Sequence, residues 1–254
     1  MTTIIGIKAD KENEKGIVLV ADRQHWGETP EDIELAPPVM KGEMKKIYTG
    51  STRDYALAIT QFHEKAICGH DTGEYFMKNF TLLKTDNPQL LRDMIRNKLE
   101  SGFFPWSEFL DGNCEIYCLF ATNFNGKLEL YQGISNGEVR PVVSYTAMGT
   151  GIDLAYSVLI PKLGGYKSPL NISLREALRV GVEAEENANH DLYTSGLDLI
   201  VVEERKILDY GTVIDQRIKR YRETLLRQLL GEYGGRSLTL EEIVNSKPLE
   251  PLDS

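Results

Sequence analysis

Cysteine is scarce in this chain. Its 254 residues hold three, Cys68, Cys114 and Cys118, an odd number without framework spacing. That excludes a small fold stapled by disulfides and suits a reducing compartment. Long apolar runs are also missing, and no stretch approaches the roughly 20 residues of a membrane helix. No basic segment leads into an apolar one at the N-terminus, so no signal peptide and a cytoplasmic setting are expected. Positive charge is in deficit: 29 Lys and Arg stand against 38 Asp and Glu, a net charge of −9. Nucleic acid and anionic membrane are therefore poor candidates for the main partner. No repeat and no low-complexity tract breaks the chain.

Ligand patterns are lacking as well. His63, Cys68, His70 and Asp71 lie close together, but the histidines are two helical turns apart, too far for an i, i+4 pair. Gly149-Thr150-Gly151 lacks the third glycine of a dinucleotide loop and any Gly-Lys-Thr, and reads as a tight strand-to-helix turn. Cys114 and Cys118 share one face of a strand, where packing accounts for them. No metal and no cofactor is expected. The run Glu183, Glu185, Glu186 reads as a solvated helix face.

What is present is an α+β pattern. Thr3–Lys8 and Gly16–Ala21 are apolar, β-branched strands joined by the polar segment Ala9–Lys15. His25–Met44, with Pro30, Pro37 and Pro38, reads as a long irregular loop. Lys45–Tyr48 and Tyr55–Thr60 resume β character. His63–Lys84 reads as an interrupted helix, and Asn87-Pro88 caps a second with Leu91, Met94, Ile95 and Leu99 on its apolar face. Cys114–Asn123 and Lys127–Gln132 flank Asn125-Gly126, a strong hairpin signal. Pro141–Met148 reads as one strand and Ile152–Leu163 as a helix. Ser173 and Glu176 form a capping box for a helix over Leu174–Asn189. Leu197–Glu203 and Ile207–Tyr210 are strands, and Ile214–Glu232 is an amphipathic helix. Thr239–Val244 could add a short amphipathic turn. Strands and helices fall in blocks, which favours antiparallel sheets with segregated helices in one domain, residues 1–232, followed by a tail, 233–254.

The opening Met1-Thr2-Thr3-Ile4-Ile5-Gly6-Ile7 is the candidate for the chemistry, although by itself it also reads as an ordinary first strand whose threonines suit β structure. A small residue behind Met1 favours trimming, so Thr2 is expected to become the mature N-terminus. Its hydroxyl and free α-amine would then share one residue. The amine, with an ordinary pKa of about 7.7–8.0, is a fitting base for that hydroxyl.

Several stretches in register resemble the proteasome β-type subunits of the N-terminal nucleophile hydrolases: the opening, Gly16–Arg23 with its Asp-Arg ending, Lys46-Ile47-Tyr48, Met148–Gly151 before a helix, and Ser173–Val202 with Asp191 and Thr194-Ser195-Gly196. They span about Thr2–Glu204. The long C-terminal end is similar to that of Anbu-type bacterial homologues. The resemblance implies a four-layer αββα sandwich and a threonine-type amidohydrolase, most simply a peptidase. Thr2 would be nucleophile and base. Asp22 and Lys46 would form an ion pair beneath it. Thr150, Asp191 and Ser195 would orient the terminus, with Thr194 open as the replacement for Ser195. Thr60 and Phe62 would line the oxyanion and substrate cleft; Thr60 stands where the family has glycine. The partners implied are a peptide or protein substrate, further copies of the chain in a ring or stepped ring, and an ATPase that the sequence does not identify. A non-proteolytic amidase or acyl-transfer relative, or an inactive ring subunit, are the alternatives.

Overall fold

Strands buried on both faces decide the layering. The computed structural model describes residues 3–27, 39–43, 47–50, 54–63, 87, 89–97, 114–134, 137–165, 168–188 and 197–210. In β1 (Thr3–Ala9), Ile5 and Ile7 face one side and Ile4 and Gly6 the other. β2 (Gly16–Asp22) does the same, with Val18 and Val20 opposed to Ile17 and Leu19. A strand apolar on both faces needs cover on both.

That cover makes two sheets back to back. The first has the order β10-β1-β2-β11-β12, with β10 Tyr145–Gly149, β11 Leu197–Val202 and β12 Ile207–Asp209. The second has the order β5-β6-β7-β8-β9, with β5 Ile47–Thr49, β6 Tyr55–His63, β7 Cys114–Thr122, β8 Glu129–Ile134 and β9 Val139–Val142. All pairings within them are antiparallel. Helical residues 89–97 (α1) set Leu91 and Ile95 against the outer face of the second sheet. Helices α2 (Ile152–Leu163) and α3 (Leu174–Ala188) cover the outer face of the first. The expected α+β sandwich of four layers, αββα, is what forms. Gly6 lies where the two sheets pack tightly: a Cβ there would stand 3.1 Å from Leu130 Cδ2 and 3.2 Å from Leu119 Cδ1.

The caps read from the sequence are in place. Asn87 Oδ1 accepts the N–H groups of Gln89 at 3.0 Å and Leu90 at 3.3 Å, and Ser173 Oγ accepts that of Glu176 at 3.1 Å. Asn125 and Gly126 take left-handed φ values of 52° and 78°, but within a loop that spans Thr122 to Glu129 rather than a two-residue turn.

Other expectations change. Pro141–Met148 is not one strand: β9 ends at Val142 in the second sheet and β10 begins at Tyr145 in the first. The Ser144 carbonyl accepts Lys8 N–H at the crossing, and Pro141 sits on an edge strand, where its missing N–H costs no ladder bond. Within His25–Met44, β3 (Gln24–Gly27) and β4 (Val39–Glu43) pair as a sheet of their own; the three prolines fall between these arms. His63 closes β6 opposite Cys114 instead of opening a helix. Glu185 is fully buried, because it shares the packed face of α3 with Gly181, Ala184 and Ala188 at helical spacing. Residues 64–84, Leu99, Ile214–Glu232, Thr239–Val244 and the tail lie outside the described residues. Among the described residues, no helix is long and apolar enough to cross a membrane.

One buried phenol gives a pH prediction. Tyr131 in β8 is buried, and its hydroxyl makes no hydrogen bond among the described residues. Burial, with a smaller push from Glu129 against a pull from Arg92, raises it to about 12. An unfolded tyrosine ionises near 10. Between those values the unfolded chain loses a proton that the folded one keeps, so stability falls as pH rises. Tyr131→Phe should therefore flatten the loss of melting temperature from pH 10 to 12, with little change at pH 7. An unchanged alkaline slope would show that Tyr131 is not the group responsible.

Candidate active site

The site forms where β1 begins and β2 ends. Ile4 pairs with Ala21, so antiparallel geometry sets Asp22 beside Thr3. Both are fully buried. The Thr3 N–H donates to Asp22 Oδ1 at 3.1 Å. A carboxylate accepting a backbone N–H at a strand start is a strong, charge-assisted bond, and it fixes the first described residue of the chain. On the other side of Asp22, Leu197 opens β11 in register with it.

The second sheet reaches this corner through β5. Ile47 N–H donates to Asp198 Oδ2 at 3.0 Å, and Arg23 Nε donates to Asp198 Oδ1 at 2.6 Å. Asp198 lies opposite Ala21 in the ladder and is 2% exposed. One carboxylate thus ties β5 to the residue that follows Asp22.

Of the residues expected in the site, Asp22, Thr60 and Thr150 are described in full. Thr60 is buried on β6, on the strand side of Ala56 and Ala58, which pack between the sheets. Thr150 is exposed, one residue beyond Gly149, the ladder partner of Thr3. Phe62 lies in β6 opposite Glu115. Thr2, Lys46, Asp191, Thr194 and Ser195 lie outside the described residues. Their described neighbours Thr3, Ile47 and Leu197 meet at Asp22 and Asp198.

The Gly149-Thr150-Gly151 turn is the strand-to-helix turn expected, with Gly149 at φ 108° and Gly151 capping α2. It has a second task. A Cβ on Gly151 would stand 2.2 Å from Thr3 Oγ1 and 3.1 Å from the Ala188 Cβ. Gly151 is the residue that lets the turn close over β1. Gly151→Ala should cost about 1–3 kcal/mol through overpacking, read as a fall of several degrees in melting temperature. Adding Thr3→Ala should recover part of that loss; strictly additive effects would mean the two do not touch.

Sequence reasoning missed Asp198 and Arg23 as partners. The signal was there: an acid inside the apolar run Leu-Asp-Leu-Ile-Val-Val is out of place in a strand unless it is satisfied. Cys118 is not a rival nucleophile. Cys118 is buried, its Sγ lies 3.3 Å from the Gly133 carbonyl, and burial pushes its thiol well above the ordinary range. Among the described residues no group of His, Cys, Asp and Glu is arranged to hold a metal ion.

No family profile matches the chain, and no curated protein matches its sequence. Solved structures do match it. One is the Anbu (Gly-1) mutant from Hyphomicrobium sp. strain MC1, similar over 94% of this chain and 100% of that one, with a TM-score of 0.57 and 10% identity. The likeness is one of fold. The chain shares the layered αββα sandwich of that structure.

Proposed function

We propose that this protein is a threonine-type amidohydrolase, a proteasome-like peptidase, whose nucleophile is Thr2 after removal of Met1. The observation that carries the reading is the buried Asp22 carboxylate holding the Thr3 N–H. It places an acid one residue from the proposed nucleophile, at a corner where the strand that follows Lys46 also begins.

In this mechanism Thr2 Oγ attacks the substrate carbonyl carbon while the α-amine takes the hydroxyl proton. The oxyanion needs a backbone N–H donor; that of Thr60, expected in this role, faces Tyr117 in the β6–β7 ladder, and its side chain is buried, so Thr60 is not that donor. The amine returns the proton to the leaving nitrogen as the C–N bond breaks. An ester to Thr2 remains, and water releases it. Asp22 pairs with Lys46, whose positive charge disfavours the ammonium form of the terminus and keeps the amine a base near neutral pH. Thr150, Asp191 and Ser195 orient the terminus. The setting is cytosolic, and no cofactor enters the chemistry.

The test is hydrolysis of short acyl-peptide amides, read together with the intact mass of the purified protein. A mass that retains Met1, or an acetylated Thr2, sinks the reading. The protein should also assemble into a homo-oligomeric ring or stepped ring, because edge strands need partners or cover. Light scattering that shows a monomer across micromolar concentrations would rule assembly out.

A further inference from the structure

We propose that Asp198 is the positioning residue of this site, the group that holds the start of β5, and so Lys46, against the Asp22 end of β2. The proposal rests on the roles of Thr2, Asp22 and Lys46 given above. Asp198 sits in β11, in the layer between the sheets, and its two oxygens serve two different elements. Oδ2 accepts the N–H of Ile47, the first residue of β5 in the second sheet. Oδ1 accepts Nε of Arg23, the residue after Asp22 in the first. The Arg23 side chain is 15% exposed and that of Asp198 3%, so neither bond is a solvent-screened surface pair.

β5 needs such a tie. It is three residues long and its ladder runs only to β6, from Ile47↔Ala58 to Thr49↔Ala56. The first residue of a short edge strand is where pairing frays. A lysine rooted there has a flexible stem, and displacement of a catalytic group by about 1 Å can cost on the order of 10²-fold in rate. Apolar residues at both 198 and 23 would serve stability about as well as the pair does, since buried ion pairs are often neutral or costly against hydrophobic replacement of both partners. An acid that ties the neighbours of Asp22 and Lys46 across the gap serves geometry instead.

The substitution Asp198→Asn separates these roles. An asparagine offers one acceptor oxygen and one donor amide to two donors, so one tie breaks and an NH₂ opposes an N–H. Adding Arg23→Met removes one donor, and the amide oxygen can then accept Ile47 N–H alone. The probe is a β-lactone, with labelling followed by intact mass. Thr2 Oγ bonds to the lactone carbonyl carbon, the ring C–O bond breaks, and the Oγ proton ends on the released ring oxygen. The mass gained is that of the whole lactone.

Wild type should be labelled at Thr2 and Thr2→Ala should not. Asp198→Asn should label at least tenfold more slowly at saturating lactone, with half-saturation unchanged within about twofold. The double variant Asp198→Asn with Arg23→Met should return to within about threefold of wild type. Wild-type speed in Asp198→Asn overturns the proposal, and so does a double variant that stays tenfold slow, which would mark a purely structural pair. If Asp198→Asn alone does not fold, the double variant decides by the same limits. Failure of wild type to label, or equal labelling of Thr2→Ala, defeats the proposed function itself, a result distinct from any Asp198 outcome.

Discussion

Thr2→Ala should abolish turnover, by at least about 10³-fold, while leaving folding and assembly intact. The scale follows from losing a group that makes and breaks the bond, since removing one member of a nucleophile unit costs about as much as removing all of it. Thr2→Ser should keep a partial rate, because hydroxyl and amine both survive. Lys46→Ala should cost nearly as much for another reason. Without the lysine's charge the terminal ammonium is favoured and its pKa rises. The base is then protonated over a wider range, so activity falls most steeply below neutral pH. Combining Thr2→Ala with Lys46→Ala adds little, as expected of residues serving one step. The measurement is hydrolysis of acyl-peptide amides across a pH series. A Thr2→Ala protein that keeps the wild-type rate places the nucleophile elsewhere and leaves only the fold.

The strands of the first sheet were legible because their apolar runs are short, β-branched and bounded by turn residues: Gly16 opens β2 and Asp22 closes it. The crossing from β9 to β10 was not legible. Pro141–Met148 keeps strand-forming residues throughout, and only the pairing of β9 with β8 and of β10 with β1 divides it. Local pattern says that a segment is extended, not which sheet takes it. Glu185 shows the opposite error. A run of glutamates outweighed a period that, read through Gly181, Ala184 and Ala188, already set it on the packed face of α3. In the site, Asp22 could be seen as an acid at a strand end, but its role came from resemblance. Its bond to Thr3 is a product of register between β1 and β2. The contact of Gly151 with Thr3 is likewise tertiary, whereas the turn itself needed only the two glycines.

Asp22 separates the structural from the catalytic meaning of this corner. Its carboxylate is buried and accepts the Thr3 N–H. Asp22→Ala leaves that N–H buried without its acceptor, at a cost of about 1–3 kcal/mol. For a chain of this size each kcal/mol lowers the melting temperature by about 2–4 °C, so the fall should reach several degrees. Asp22→Asn keeps an oxygen where Oδ1 stands, and its amide can still accept from Thr3. Its melting temperature should stay within about 2 °C of wild type, by the same conversion. The asparagine nevertheless loses the charge proposed to pair with Lys46. If that charge sets the lysine under the terminal amine, kcat/KM should fall by about 10²-fold in both variants. Stability would then divide the two substitutions while activity would not. The pair of measurements is thermal unfolding and peptide-amide hydrolysis on the same preparations. An Asp22→Asn protein with wild-type kcat/KM and an unchanged melting temperature would reduce Asp22 to an acceptor for Thr3. The ion pair would then have no part in activating Thr2, and Lys46 would have to act without it.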